Sequence, residues 1–211
     1  LGEVSDLPNL VQSKIAEIQA ATSMSEKVEI AQSFTNAYMR NEMQFGGSLG
    51  SERSVSFAEL AADPKGDCDD FVKFNAGLLI HGGVEPRSVF RVSGLVEYGV
   101  GGYSSEVGHQ FIIVASDNGY HLLDNNFETA HKVMPSDLSA TGTLNIAHDT
   151  QHMIKMTDVS MRVVYLAEIS NGKDTTFSNN SAWSALIDHM AQYTSKLERV
   201  MTQSVEAPIL N

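Results

Sequence analysis

Apolar residues recur at helical spacing through the first third of the chain. Leu10, Val11, Ile15 and Ile18 follow Pro8 as one stripe, predicting an amphipathic helix that runs out near Ser23. Ser23-Met24-Ser25-Glu26 then has the spacing of a capping box, in which a hydroxyl and a carboxylate each satisfy a free amide at a helix start. Val28, Ala31 and Phe34, Phe45 further on, and Ala37 and Tyr38 on or near the inner face predict the helix behind it, and the run from Gly46 to Ser51 breaks it. A second box, Ser56-Phe57-Ala58-Glu59, opens a short helix that Asp63-Pro64-Lys65-Gly66 terminates. These helices read as scaffold. The next apolar run is Phe71, Phe74, Ala76, Leu78 and Leu79, with Asp67 as its N-cap and Gly82-Gly83 as its end.

Beyond Gly83 the pattern turns extended. Val89, Arg91, Val92 and Leu95 sit in a strand-like run reaching Tyr98, followed by the glycine-rich segment from Gly99 to Ser105. That segment lacks the lysine and the following helix of a phosphate cradle, which leaves a mobile flap beside a cleft or a long turn. His109 to Ala115 reads as a buried strand, Asp117-Asn118-Gly119 as a hairpin turn, and Tyr120 to Asp124 as the antiparallel partner. In such a hairpin the start of one strand lies near the end of the other, so His109 and Asp124 are expected to be neighbours. A polar connection around Pro135-Ser136-Asp137 leads to strand-like runs at His152 to Met156 and Met161 to Ile169. A last helix is predicted from the stripe Trp183, Leu186, Ile187, Met190, Tyr193, Leu197, Val200 and Met201.

Length and charge narrow the function classes. The 211 residues are read as one domain, with a helical part over 1–63, a core over 64–170 and a C-terminal helix over 181–205. A net charge of −12 repels nucleic-acid backbones and anionic membrane surfaces, so neither is expected as a partner, whereas cationic or calcium-loaded partners fit. No apolar stretch approaches the roughly 18 residues of a membrane helix. The first residue is Leu1 rather than Met, which suggests that an upstream segment was removed, by cleavage of an export signal or by choice of where the chain is cut.

The only cysteine, Cys68, falls in the first turn of the Asp67-capped helix. Unsatisfied amides there carry partial positive charge that favours a nucleophilic sulfur, while Asp67, Asp69 and Asp70 place up to three negative charges around the same atom. An offsetting positive group is therefore expected. The two candidates, both expected, are an imidazolium brought in from a distant segment and a hard cation such as Ca²⁺ held by those three carboxylates. The bland alternative is a small buried thiol beside acids that merely complement the helix dipole. Against it stands the order Cys68, His109, Asp124, a workable acyl-transfer triad in which imidazole takes the thiol proton and carboxylate fixes the ring's tautomer. The Cys68 backbone amide would supply one oxyanion donor, with Asn41 and Gln44 as candidates for the second. The remaining histidines have no paired-ligand context, so a zinc site is not expected.

Gly66-Asp67-Cys68-Asp69-Asp70-Phe71, then His109-Gln110-Phe111-Ile112, then Leu122-Leu123-Asp124-Asn125 resemble the bacterial transglutaminase-like cysteine peptidases, among them the calcium-dependent periplasmic proteases that release large surface adhesins. The likeness runs over roughly Asn36 to Asp137. It implies an α+β, papain-like core with the cysteine helix packed on an antiparallel sheet. It makes Cys68 the nucleophile, His109 the general base and acid, and Asp124 the orienting group. Ca²⁺ falls to Asp67 and Asp69, and with less support to Asp70. The implied partners are a protein or peptide substrate, such as a surface adhesin, and a regulatory protein; the implied setting is periplasmic or secreted. Two rivals keep the same residues: a transglutaminase or amidase, in which an amine resolves the thioester, and a catalytically inactive calcium-dependent binding module.

Overall fold

The computed structural model describes residues 3–41, 55–100, 103–116, 119–134, 137, 144–147, 153–164 and 166–171. The C-terminal helix expected from Trp183 to Met201 lies outside the described residues.

Helix α1 spans Asn9–Ala20 and buries Val11, Ile15 and Ile18, while Leu10 points to solvent instead of joining the stripe. Helix α2, Met24–Tyr38, is capped by Ser23, whose hydroxyl accepts from the Glu26 amide at 3.1 Å. The returning arm of that box lands one residue early, with Glu26 Oε2 accepting from the Thr22 amide. In α3, Phe57–Ala62, both arms of the Ser56–Glu59 box are present. Helix α4, Cys68–His81, starts at Asp67, whose side chain accepts from the Asp69 amide, and ends at Gly82 with Gly83 at φ +85°. It is the central helix, buried at every position from Phe71 to Ile80, and its polar members are paired: Thr35 Oγ1 donates to Asn75 Oδ1 at 2.8 Å.

Two short strands not expected from the sequence, β1 (Arg40–Asn41) and β2 (Lys65–Gly66), pair in parallel just ahead of α4. Among the described residues the main sheet has six antiparallel strands in the order β6-β5-β4-β3-β8-β7. Strand β3 covers Val89–Val100, β4 Tyr103–Ser116, β5 Gly119–Leu123, β6 His131–Val133, β7 Leu144–Ala147 and β8 Met153–Val163. The glycine-rich segment expected to form a flap or long turn is mostly strand. Val100 pairs with Tyr103, so β3 and β4 continue through it to a two-residue connection.

The turn between β4 and β5 falls where expected, with Ser116 opposite Gly119 and Gly119 at φ +120°, a conformation glycine adopts without steric cost. The run Met161 to Ile169 is not one strand. Strand β8 ends at Val163, and Leu166–Asn171 forms a short helix, α5.

Alternate residues of the central strands divide between two apolar clusters. Val89, Ile112, Val114 and Leu123 pack with α1 to α5 in the larger one, and Val92, Phe111, Ile113, Leu122 and Met161 form the other. Helix α4 lies against β4 within the larger cluster, which brings the start of the helix to the edge where β4 begins to pair with β5. Among the described residues no helix is long and apolar enough to cross a membrane.

Candidate active site

Cys68 occupies the first position of α4 and is partly buried. The approach to it is tightly built. Register places Asn41 opposite Gly66, and a Cβ at residue 66 would collide with the Asp70 carboxylate, so the backbone before the cysteine can run under Asp70 only as glycine. This register also puts Asn41 two residues from Cys68 in the adjoining ladder, while Gln44 lies outside the described residues.

His109, on β4, and Asp124, just past β5, are both buried and meet as the hairpin predicts: the ring Nε2 lies 2.8 Å from Asp124 Oδ2. The Cys68 side chain lies near enough to the same ring to help raise its pKa. The structure thus brings together the sulfur, the imidazole and the carboxylate singled out in the sequence. Because Nε2 faces the carboxylate, Nδ1 is the nitrogen left for the sulfur. Burial alone would lower the His109 pKa, but the Asp124 charge and hydrogen bond, with Cys68, carry it up to about 10.

A turn behind this pair holds it. Asp124 Oδ1 accepts from the Asn126 amide at 2.8 Å, and the Phe127 amide donates to the Asp124 carbonyl. From α2, the buried Gln32 donates through Nε2 to the carbonyls of both Asp124 and Phe127 at 2.6 Å, and Asn36 donates to Phe127 at the same distance. Gln32 is invisible to sequence reasoning because its partner carbonyls lie 92 and 95 residues away.

Asp67, Asp69 and Asp70 each offer an oxygen within 4.8 Å of the others, a group able to hold a metal ion. Their electrostatics are uneven. The hydrogen bond with Asp69, burial and the neighbouring negative charges push Asp67 up to about 7. Burial and Asp69 push Asp70 up to about 6 against the pull of Lys73. Burial works against ionised Asp69 as well, but its bonds with Asp67 and Lys73 prevail and lower its pKa.

Lys73 was overlooked in the sequence reading. It is buried inside α4 with its Nζ 2.7 Å from Asp69 Oδ2 and 3.7 Å from Asp70 Oδ1. Its spacing of four and three residues from those acids was the available signal. Arg91 also lowers the Asp69 pKa; it is fully buried, donating to Glu168 at 3.0 Å and to Gln110 at 2.6 Å.

No protein-family model and no curated protein matches this chain. Among solved structures, one of Legionella pneumophila LapG superposes with a TM-score of 0.50 at 16% identity, covering 90% of this chain and 89% of that one. A calcium-bound form of that protein gives a TM-score of 0.49 at 15% identity over 86% of this chain and 87% of its own. An EGTA-treated form gives a TM-score of 0.49 at 15% identity over 90% and 91%. At such identity the likeness is one of architecture, and the chain has a distant LapG-like α+β fold.

Proposed function

We propose that this protein is a cysteine endopeptidase that hydrolyses a peptide bond of a protein substrate through a thioester on Cys68. The observation that carries the proposal is His109, held by Asp124 at 2.8 Å on one ring nitrogen, with Cys68 near enough to raise the ring's pKa. A neutral ring with its proton on Nε2 presents the Nδ1 lone pair to the sulfur. With its pKa carried up to about 10, the ring favours the imidazolium near neutral pH, so Nδ1 holds the proton drawn from the sulfur and has it ready for the leaving group. In the first half-reaction the sulfur, its proton on Nδ1, adds to the substrate carbonyl carbon. The C–N bond then breaks as the imidazolium returns the proton to the departing amine, leaving an acyl group on Cys68. In the second half, Nδ1 takes a proton from water as hydroxide adds to the thioester, and the carbon–sulfur bond breaks to release the acid and return the Cys68 sulfur to the Nδ1 proton it started beside. The Cys68 backbone N–H, at the first helical position and without an intrahelical acceptor, is one donor for the oxyanion.

Asp67, Asp69 and Asp70 are the residues that would hold Ca²⁺. Their donor set fits: three hard carboxylate oxygens within 4.8 Å, and three negative charges of which Lys73 balances one, leaving the charge of one divalent ion. When bound, the ion supplies fixed positive charge at the start of α4. A protein chain is the substrate class, an adhesin being the one implied by the sequence resemblance, in a periplasmic or secreted setting. The test is an unbiased cleavage screen of a peptide library with and without chelator. Wild type cuts at defined sites, and Cys68→Ala, with unchanged melting temperature, does not. Equal cutting by both proteins rejects the proposal.

A further inference from the structure

Asp124 is not alone at the far side of His109. The side-chain amide nitrogen of Asn126, Nδ2, lies 3.2 Å from the same Nε2 that faces Asp124 Oδ2 at 2.8 Å, so two side chains of one turn converge on one ring nitrogen. The chemistry of that nitrogen decides what Asn126 does. A carboxylate only accepts, so Nε2 carries a proton, and a second group within reach of an N–H serves it through an oxygen. Nδ2 at that place would set one donor against another, and because the amide's two ends are interchangeable in shape, a half-turn of the amide presents Oδ1 to Nε2–H instead.

The placement is also fixed rather than incidental. The Asn126 backbone N–H donates to Asp124 Oδ1, which ties the two residues into one local unit. Gln32 holds the carbonyls on either side of that unit, those of Asp124 and Phe127. Asp124 is buried, whereas Asn126 is exposed and stands on the solvent side of the pair.

We infer that Asn126 is a second positioning residue for His109, accepting from Nε2–H beside Asp124 and keeping the ring in the tautomer that leaves Nδ1 to the sulfur. It acts through the ring and does not touch substrate. The inference deepens the peptidase proposal and rests on it for its kinetic consequence, but its structural half stands without it. Acceptance through oxygen makes a sharp demand on replacements: aspartate keeps an acceptor of the same reach, and alanine keeps none.

The experiment compares Asn126→Ala and Asn126→Asp with wild type in two readouts. By ¹⁵N NMR of the histidine-labelled protein, the His109 Nε2–H resonance is expected to be sharp in wild type and in Asn126→Asp, and broadened by solvent exchange or lost in Asn126→Ala. In the cleavage assay kcat is expected to fall about tenfold in Asn126→Ala, the scale of one hydrogen bond, with KM unchanged, and to recover in Asn126→Asp. A resonance equally sharp in all three proteins overturns the inference, as does a loss shared by alanine and aspartate. A wild type that cuts nothing but shows the NMR pattern rejects the peptidase proposal and leaves the role of Asn126 in place.

Discussion

The two halves of the candidate site differ in how their charges are met. On the hairpin side, His109 and Asp124 match one for one, and the turn that carries Asp124 is held by Asn126, Gln32 and Asn36 from the chain itself. On the helix side, Lys73 pairs with Asp69 and Asp70 but not with Asp67, and Asp67 and Asp70 rise to about 7 and about 6 from an ordinary value of 3.8. The first half is complete as the chain folds. The second is short of positive charge. A nucleophile at a helix start can thus be positioned by one fully satisfied network and one that invites a cation.

The largest effect expected from breaking the hairpin side is on rate. Replacing His109 by alanine removes the proton carrier, and kcat should fall about a thousandfold, inside the range such groups supply. Loss of less than tenfold would mean that the ring is a bystander. On the helix side, Lys73→Met leaves Asp69 without its buried partner and should destabilise the calcium-free protein by about 3 kcal/mol in urea unfolding. Calcium should then raise the melting temperature of the variant more than that of wild type. An equal rise in both would show that lysine and metal do not share the work.

A smaller effect is expected at the back of the turn. Gln32→Leu strips donors from two carbonyls and should cost about 2 kcal/mol, with kcat lowered because Asp124 and Asn126 are less firmly held. Unchanged kcat at reduced stability would confine Gln32 to the scaffold.

The smallest effect is a pH trend that separates the halves. Asp67 and Asp70 keep their protons to about 7 and about 6, whereas the unfolded chain releases them near 3.8. Metal-free stability from these groups is therefore highest at low pH and falls as pH rises through that window, as buried like charges appear. His109, held up to about 10, contributes stability that is full below its ordinary 6.5 and is lost as pH rises toward 10, so it does not offset the trend. The rise in melting temperature on adding calcium should be slight at pH 5 and should grow by pH 8. An increment independent of pH would detach the metal from these carboxylates.

How much of this is legible in the sequence follows the same division. The hairpin pair is readable because Asp117-Asn118-Gly119 fixes a register and His109 and Asp124 are only 15 residues apart. Helix α4 is readable from its cap and its glycine stop. Lys73 was hidden by the apolar run around it, in which a lone lysine looks like an exposed position; the two acids three and four residues earlier explain its burial. Strand β8 and helix α5 could not be separated, since a short apolar run such as Met161 to Ile169 carries no period long enough to choose between strand and helix. Strands β1, β2 and β6 are two or three residues long and have no pattern to show.

The central claim is that Cys68 carries the acyl group, with His109 beside it. The direct measurement is intact mass spectrometry of the protein acid-quenched during turnover of a cleaved peptide, followed by mapping of any adduct. An acyl adduct is expected on Cys68, one that hydroxylamine removes and that Cys68→Ala never forms. Steady turnover that survives in Cys68→Ala, or an adduct mapped to any other residue, would contradict it.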